Sequence, residues 1–300
     1  LLPIMQSETG LTDADGGWLA TANYLGYMLG VLIAASLNSP HHKYLLHRLY
    51  LVLSVVTSIA MVFSTDLFIW SLLRFVAGIC ASGGLIIASG LILKWMVSNG
   101  YRAELGIHFA GVGIGIVFTA LLVESLHSVS ANWQHQWLAF AAMAALFSVP
   151  AWRWMPQSAA EQASVNSEVK DNPPERQYMV ILMLAYFCAG YGYVVSATFV
   201  VDIVEGLDSL QGYGQLVFLL IGISAIPAVL LWDLVARKLG YLKTLLLAYS
   251  TQIIGILLST HSESLTMLMF SAVLYGGTMV ACVSLVLTMA GRFYPSNPAK

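Results

Sequence analysis

The chain has 300 residues, 58% of them hydrophobic and 9% charged, with a mean hydropathy of +0.78, against roughly 25% charged residues in ordinary soluble domains. This composition excludes a soluble globular domain and points to a polytopic membrane protein whose first partner is the lipid bilayer. Thirteen Lys and Arg against fifteen Asp and Glu give a formal net charge of −2, so no positive field exists for nucleic acid to neutralise.

In chain order, Leu1-Leu2-Pro3-Ile4-Met5 reads as the tail of a spanning helix, and the sequence opens without Met, which predicts a fragment. Apolar runs follow at 17–37, 45–63, 67–97, 105–123 and 137–155, and then at 178–201, 216–232, 242–258 and 265–290. Each is near the roughly 20 residues that a helix needs to cross a bilayer core. The stub and nine runs predict ten crossings, joined by connections too short for a folded soluble domain.

Lys43, Arg48, Lys94, Arg102, Arg153, Lys170, Arg176, Arg237, Lys238, Lys243, Arg292 and Lys300 all fall on one set of alternate connections. The opposite set carries Glu8, Asp13, Asp15, Asp66, Glu124, Asp202, Glu205, Asp208 and Glu263 without Lys or Arg. By the positive-inside rule the first set is cytoplasmic. All eight tryptophans sit near run ends, as an interfacial belt would place them. The polar segment 156–177, with Pro173-Pro174, reads as a cytoplasmic linker between a helical bundle over 1–155 and an incomplete one over 178–300. Cys80, Cys188 and Cys282 lie in separate apolar runs without metal-ligand spacing, so neither a metal nor another cofactor is expected.

Arg74 is the exception to the charge pattern, because it lies inside the run 67–97. An arginine there costs at least about 2.5 kcal/mol on insertion scales, so it normally faces a bundle interior or a wet cavity. The alternative is snorkelling to the interface near Trp70 or pairing with Asp66. Gly78, Ala81, Ala88 and Ser89 follow on its face and leave room for a close helix contact or a ligand. Gly26 with Gly30, and Gly111 with Gly115, have the small-xxx-small spacing of helix interfaces.

Four stretches together resemble the major facilitator superfamily, and within it the YbfB/YjiJ-type bacterial branch. They are the segment 17–27 (GWLATANYLGY), Arg74-Phe75-Val76-Ala77-Gly78, Trp232-Asp233-Leu234-Val235-Ala236-Arg237-Lys238, and the segment 291–300 (GRFYPSNPAK). The resemblance covers essentially the whole chain. It implies an all-α membrane protein of two six-helix bundles rocking about a central site, with most of helix 1 and all of helices 11 and 12 outside this sequence. Arg74 matches the fourth-helix arginine implicated in proton or substrate coupling. Asp233, Arg237 and Lys238 match the cytoplasmic loop motif, where a carboxylate and a guanidinium hold one state closed. The first-half counterpart, Asn38-Ser39-Pro40-His41-His42-Lys43, has lost that pattern. The glycines near 111–115 resemble an antiporter motif but lack its proline. The cavity should be lined by helices 4, 7 and 10, which makes Ser89, Tyr186, Tyr193, Tyr275 and Thr278 further substrate or coupling candidates, with bland packing between helices as their other reading.

The reading is a monomeric secondary transporter in the bacterial inner membrane, moving a small organic solute by alternating access, with protons and efflux as default expectations. No enzymatic chemistry is expected, since paired aspartates, a Ser-His pair and a metal cluster are all missing from the run interiors. The alternatives are a membrane signalling protein without transport and an inactive truncated remnant.

Overall fold

A computed structural model describes residues 1–155, 171–207, 209–261 and 264–294. Residues 156–170 of the linker, the loop acids Asp208 and Glu263, and the end of the last motif at 295–300 lie outside the described residues. The fold is all-α, and among the described residues there are ten α-helices and no strand.

Local chemistry accounts for the helix starts. The stub is α1, Leu2–Thr9, stopped by Gly10 in the left-handed region at φ 75°. Helix α2, Asp13–Ser36, opens on a capping box in which the Thr12 side chain and the Asp15 backbone and carboxylate satisfy one another. Helix α3, Pro40–Ala60, has Ser39 as N-cap and proline in its first turn, and runs into a 3₁₀ turn at Met61–Phe63. Asp66 caps α4, Leu67–Ser98, whose 32 residues extend about 48 Å. Helix α5 is Gly106–Ser128, and α6 is Trp133–Trp154, capped by Asn132. The remaining helices are α7 Arg176–Glu205, α8 Gly214–Leu239, α9 Tyr241–His261 and α10 Leu265–Phe293.

Among the described residues, eight helices are long and apolar enough to cross a membrane, which makes this a multi-pass membrane protein. Helix α6 is not among the eight, although its run was expected to span. Its first turn carries Gln134, His135 and Gln136 and its last turns Pro150 and Arg153, which dilute its apolar residues.

Contacts divide the described chain into two compact units, residues 1–102 with 125–155 and residues 103–124 with 171–294. Sequence order places α5 with the first bundle, whereas most of the helix groups here with the second unit.

In the first unit α2 and α4 meet backbone to backbone. A Cβ on Gly26 would strike the Phe75 backbone, one on Gly30 the Ser82 hydroxyl and the Ile79 carbonyl, and one on Gly78 the Asn23 carbonyl. Cross-helix hydrogen bonds fix the register, from Ser82 Oγ to Tyr27 O at 2.6 Å and from Asn23 Nδ2 to Arg74 O at 2.8 Å. Ala81, expected on the same small-residue face as Gly78, is exposed. Beside this seam Met5, Leu19, Met61, Trp70 and Trp133 form a buried cluster. Trp70 is fully buried, donates to Met61 O at 2.9 Å and sits edge-on to Trp133, so these two belong to the core and not to an interfacial belt.

In the second unit α10 packs on α8 and α9. Gly276 lies against the Ile221 backbone and the Ser224 hydroxyl, and the Trp232 indole donates to Gly277 O at 2.8 Å. Ser271 Oγ donates to Gly255 O at 2.6 Å. Ala236, Leu245, Ala248, Cys282, Leu285 and Met289 close the core of this unit.

Candidate functional site

Two sites stand out, one in each unit. In the first, Arg74 lies two turns into α4 and lines a cavity of about 260 Å³ together with Asn23, Tyr24, Trp137 and apolar residues that include Met5, Leu19 and Met61. The Arg74 guanidinium rests over the Trp137 ring at 5.3 Å from its centroid, a cation–π arrangement. That ring is itself held, because the Trp137 indole N–H points at Met5 Sδ at 3.3 Å. Asn23 fixes the Arg74 backbone from α2, leaving the side chain to the cavity.

The partners offered by the snorkelling alternative are occupied elsewhere. Asp66 accepts from Ile69 N at 3.0 Å as the α4 cap, and the Trp70 indole is committed to Met61. Among the described residues, no hydrogen bond or ion pair engages the Arg74 guanidinium; the ion pair found is that of Arg237. A half-buried guanidinium without an acceptor among the described residues is a candidate receptor for one.

The second site joins α8 to the start of α5. Asp233 is buried, and its Oδ2 accepts from Gly106 N at 3.0 Å, while Oδ1 is buried without a partner among the described residues. Asp233 therefore supplies from 127 residues away the N-terminal cap that α5 does not take from its own preceding loop. Gly106 is suited to this approach, because a Cβ there would overlap the carboxylate. One turn on, Arg237 pairs with Glu104 in a two-pronged contact, Nε to Oε1 at 2.9 Å and a terminal nitrogen to Oε2 at 2.5 Å. The resemblance implied a carboxylate and a guanidinium holding a helix end together; here each has a separate partner, a backbone N–H and Glu104. Glu104 went unremarked in the sequence, although an acid beside Arg102 on the basic side of the chain marks it out. Lys238 is exposed.

Further along, α5 crosses α8 at Gly113, whose added Cβ would meet Ile226 at 2.9 Å and Gly222 O at 3.0 Å. Gly106 and Gly113 are thus the contact glycines of α5. Gly111 and Gly115, expected there from their spacing, have nothing among the described residues within 4 Å of an added Cβ.

Of the other candidates, Ser89 is buried and its hydroxyl bonds back to Leu85 O at 2.7 Å. Tyr193 and Tyr275 come together as stacked rings 6.2 Å apart, with the Tyr275 hydroxyl donating to Tyr193 O at 2.8 Å. Thr278 is buried and bonds back to Leu274 O and Tyr275 O. Tyr186 is half-buried on α7. The tyrosine pair joins α7 to α10, whereas Ser89 and Thr278 bond within their own helices.

Known proteins share the helical fold. Among solved structures the chain is similar to the nucleoside transporter NupG (D323A mutant), at 13% identity over 99% of this chain and 80% of that one, with a TM-score of 0.65. It is also similar to the human organic anion transporter MFSD10 (TETRAN), at 16% identity over 98% of this chain and 78% of that one, with a TM-score of 0.60. At such identities the likeness shows the fold alone. No curated protein matches the sequence. The family model described as uncharacterised MFS-type transporter YbfB matches residues 1–300. The chain therefore belongs to the YbfB-type transporters of the major facilitator superfamily.

Proposed function

We propose that the protein is a secondary active transporter that carries a small organic solute across the bacterial inner membrane by alternating access. The observation that carries this reading is Arg74, a guanidinium within a spanning helix that opens on a cavity and has no acceptor among the described residues. Such a charge is retained because a solute or a titrating group meets it during the cycle. The neighbours' names, a nucleoside transporter and an organic anion transporter, fit a small organic cargo. Proton coupling, efflux and a monomeric state complete the proposal, with helical bundles over 1–155 and 178–300 as its moving parts.

Asp233, Arg237 and Glu104 act in this reading as a cytoplasmic latch. They tie the end of α8 to the start of α5, and breaking a buried cap biases a two-state equilibrium by a few kcal/mol at most, the scale on which such switches work.

The test is solute flux in vesicles reconstituted with the protein, with and without an imposed pH gradient and normalised to inserted protein. Arg74→Ala should abolish flux and Arg74→Lys should lose most of it, because an ammonium is a hydrated point charge and not a planar fork of donors. Equal flux for Arg74→Lys and the parent would reduce Arg74 to an interfacial anchor.

A further inference from the structure

Charge, shape and size at the Arg74 cavity narrow the solute. Arg74 is the charged residue among those lining the cavity. The acids at the same end of the first unit are engaged elsewhere. Glu8 accepts from Trp133 N, Asp13 from the Gln6 amide, Asp15 from Thr12 and Asp66 from Ile69 N. These carboxylates cap helix starts or brace the chain beside them, leaving the guanidinium charge for a ligand to meet.

Donor geometry adds to this. The guanidinium carbon lies over the Trp137 ring and its N–H groups have no ion-pair partner among the described residues, so its planar fork of donors suits a two-oxygen acceptor, which is the geometry of a carboxylate. The other walls are largely hydrocarbon and indole, from Leu1, Leu2, Met5, Leu19, Met61 and Trp137. They would take an apolar body and would not solvate a second charge. A volume of about 260 Å³ lies at the low end of small-molecule sites, about 300–1,000 Å³, which suits a short body.

We infer that this cavity binds small organic monoanions, a single carboxylate on a short apolar body, in preference to neutral, cationic or dianionic solutes. The inference rests on the Arg74 cavity being the substrate site of the proposed transporter.

The experiment is equilibrium binding to the purified full-length protein in detergent, comparing benzoate, phenylacetate and hexanoate with benzamide, phenylacetamide and hexanamide, and with phthalate as a dianion. At least one monocarboxylate should bind ten-fold or more tighter than its amide and than phthalate. Arg74→Gln should erase that difference, and Arg74→Lys should keep part of it. The acid-to-amide comparison needs no variant, so it decides the matter even where Arg74→Gln misfolds. Equal affinity within every acid–amide pair would overturn the inference, as would failure of all three carboxylates to bind at about 10 mM, where even the weakest affinities of interest register. Vesicle flux separates this from the parent reading. Equal acid and amide binding with Arg74-dependent flux would sink the anion class alone. Arg74-dependent carboxylate binding without flux would sink transport and leave the anion site standing.

Discussion

Replacing Asp233 tests the latch most directly, and the structure sets the size of the effect. The carboxylate accepts from Gly106 N in a buried position. Asp233→Ala leaves that N–H without a partner, at a cost of about 1–3 kcal/mol. Asp233→Asn keeps an acceptor but loses the charge at the α5 N-terminus, worth up to about 2 kcal/mol in partly buried geometries. It also places an amide where Oδ1 now lies buried without a partner. Glu104→Gln removes one charge of a pair whose Arg237 side chain is 41% exposed, and exposed pairs contribute only about 0.2–1 kcal/mol. The expected order is Asp233→Ala, then Asp233→Asn, then Glu104→Gln. One to two kcal/mol corresponds to about a 5–30-fold change in a two-state equilibrium. A reporter cysteine at Ala20, which lines the cavity, reads the change in a Cys188→Ser background, because native Cys188 is exposed. The rate of labelling by an impermeant maleimide from outside should fall as the cytoplasmic side opens, by at most that factor. An unchanged rate at normal expression, or a larger effect from Glu104→Gln than from Asp233→Asn, would refute the latch.

The charge asymmetry of the connections predicts that cysteines at Asp13 and Ser130 label from outside, while those at His42 and Lys238 do not; labelling of both sets from one side would undo the orientation. Gly26→Ala and Gly78→Ala should each destabilise the detergent-solubilised protein by about 1–3 kcal/mol, since the new methyl meets backbone that cannot rotate away. Gly111→Ala and Gly115→Ala have open space and should be neutral or gain up to about 1 kcal/mol of helix propensity; thermal unfolding distinguishes the two pairs. Tyr275→Phe removes the hydroxyl that reaches Tyr193 O and should cost about 0.5–1.5 kcal/mol of stability with flux retained. Lost flux at full stability would return Tyr275 to the cavity.

The spans were legible because the bilayer imposes one length and one polarity on every crossing, so most described spans start and stop within about five residues of their apolar runs, α8 running seven past its own. Faces were much less legible. Glycines four apart share a side of a helix whichever neighbour lies there, so the spacing at Gly111 and Gly115 was as good a signal as that at Gly26 and Gly30. Among the described residues, the latter pair meets another helix closely and the former has open space. A tryptophan near a span end satisfies an interfacial belt or a core equally well. Trp70 entered the core because Met61 offers a carbonyl acceptor and Trp133 a ring edge, and both lie in other elements. Asp233 was visible as an acid among basic residues, yet its partner is a backbone N–H, which carries no side-chain signature. That is the physical reason why the proposed latch has its α8 half in the sequence pattern but not its partner. Its second half is the unfilled start of α5, where Gly106 leaves room for the carboxylate, and the absence of a Ser, Thr, Asp or Asn cap from Ala103 to Leu105 is the trace of it in the sequence.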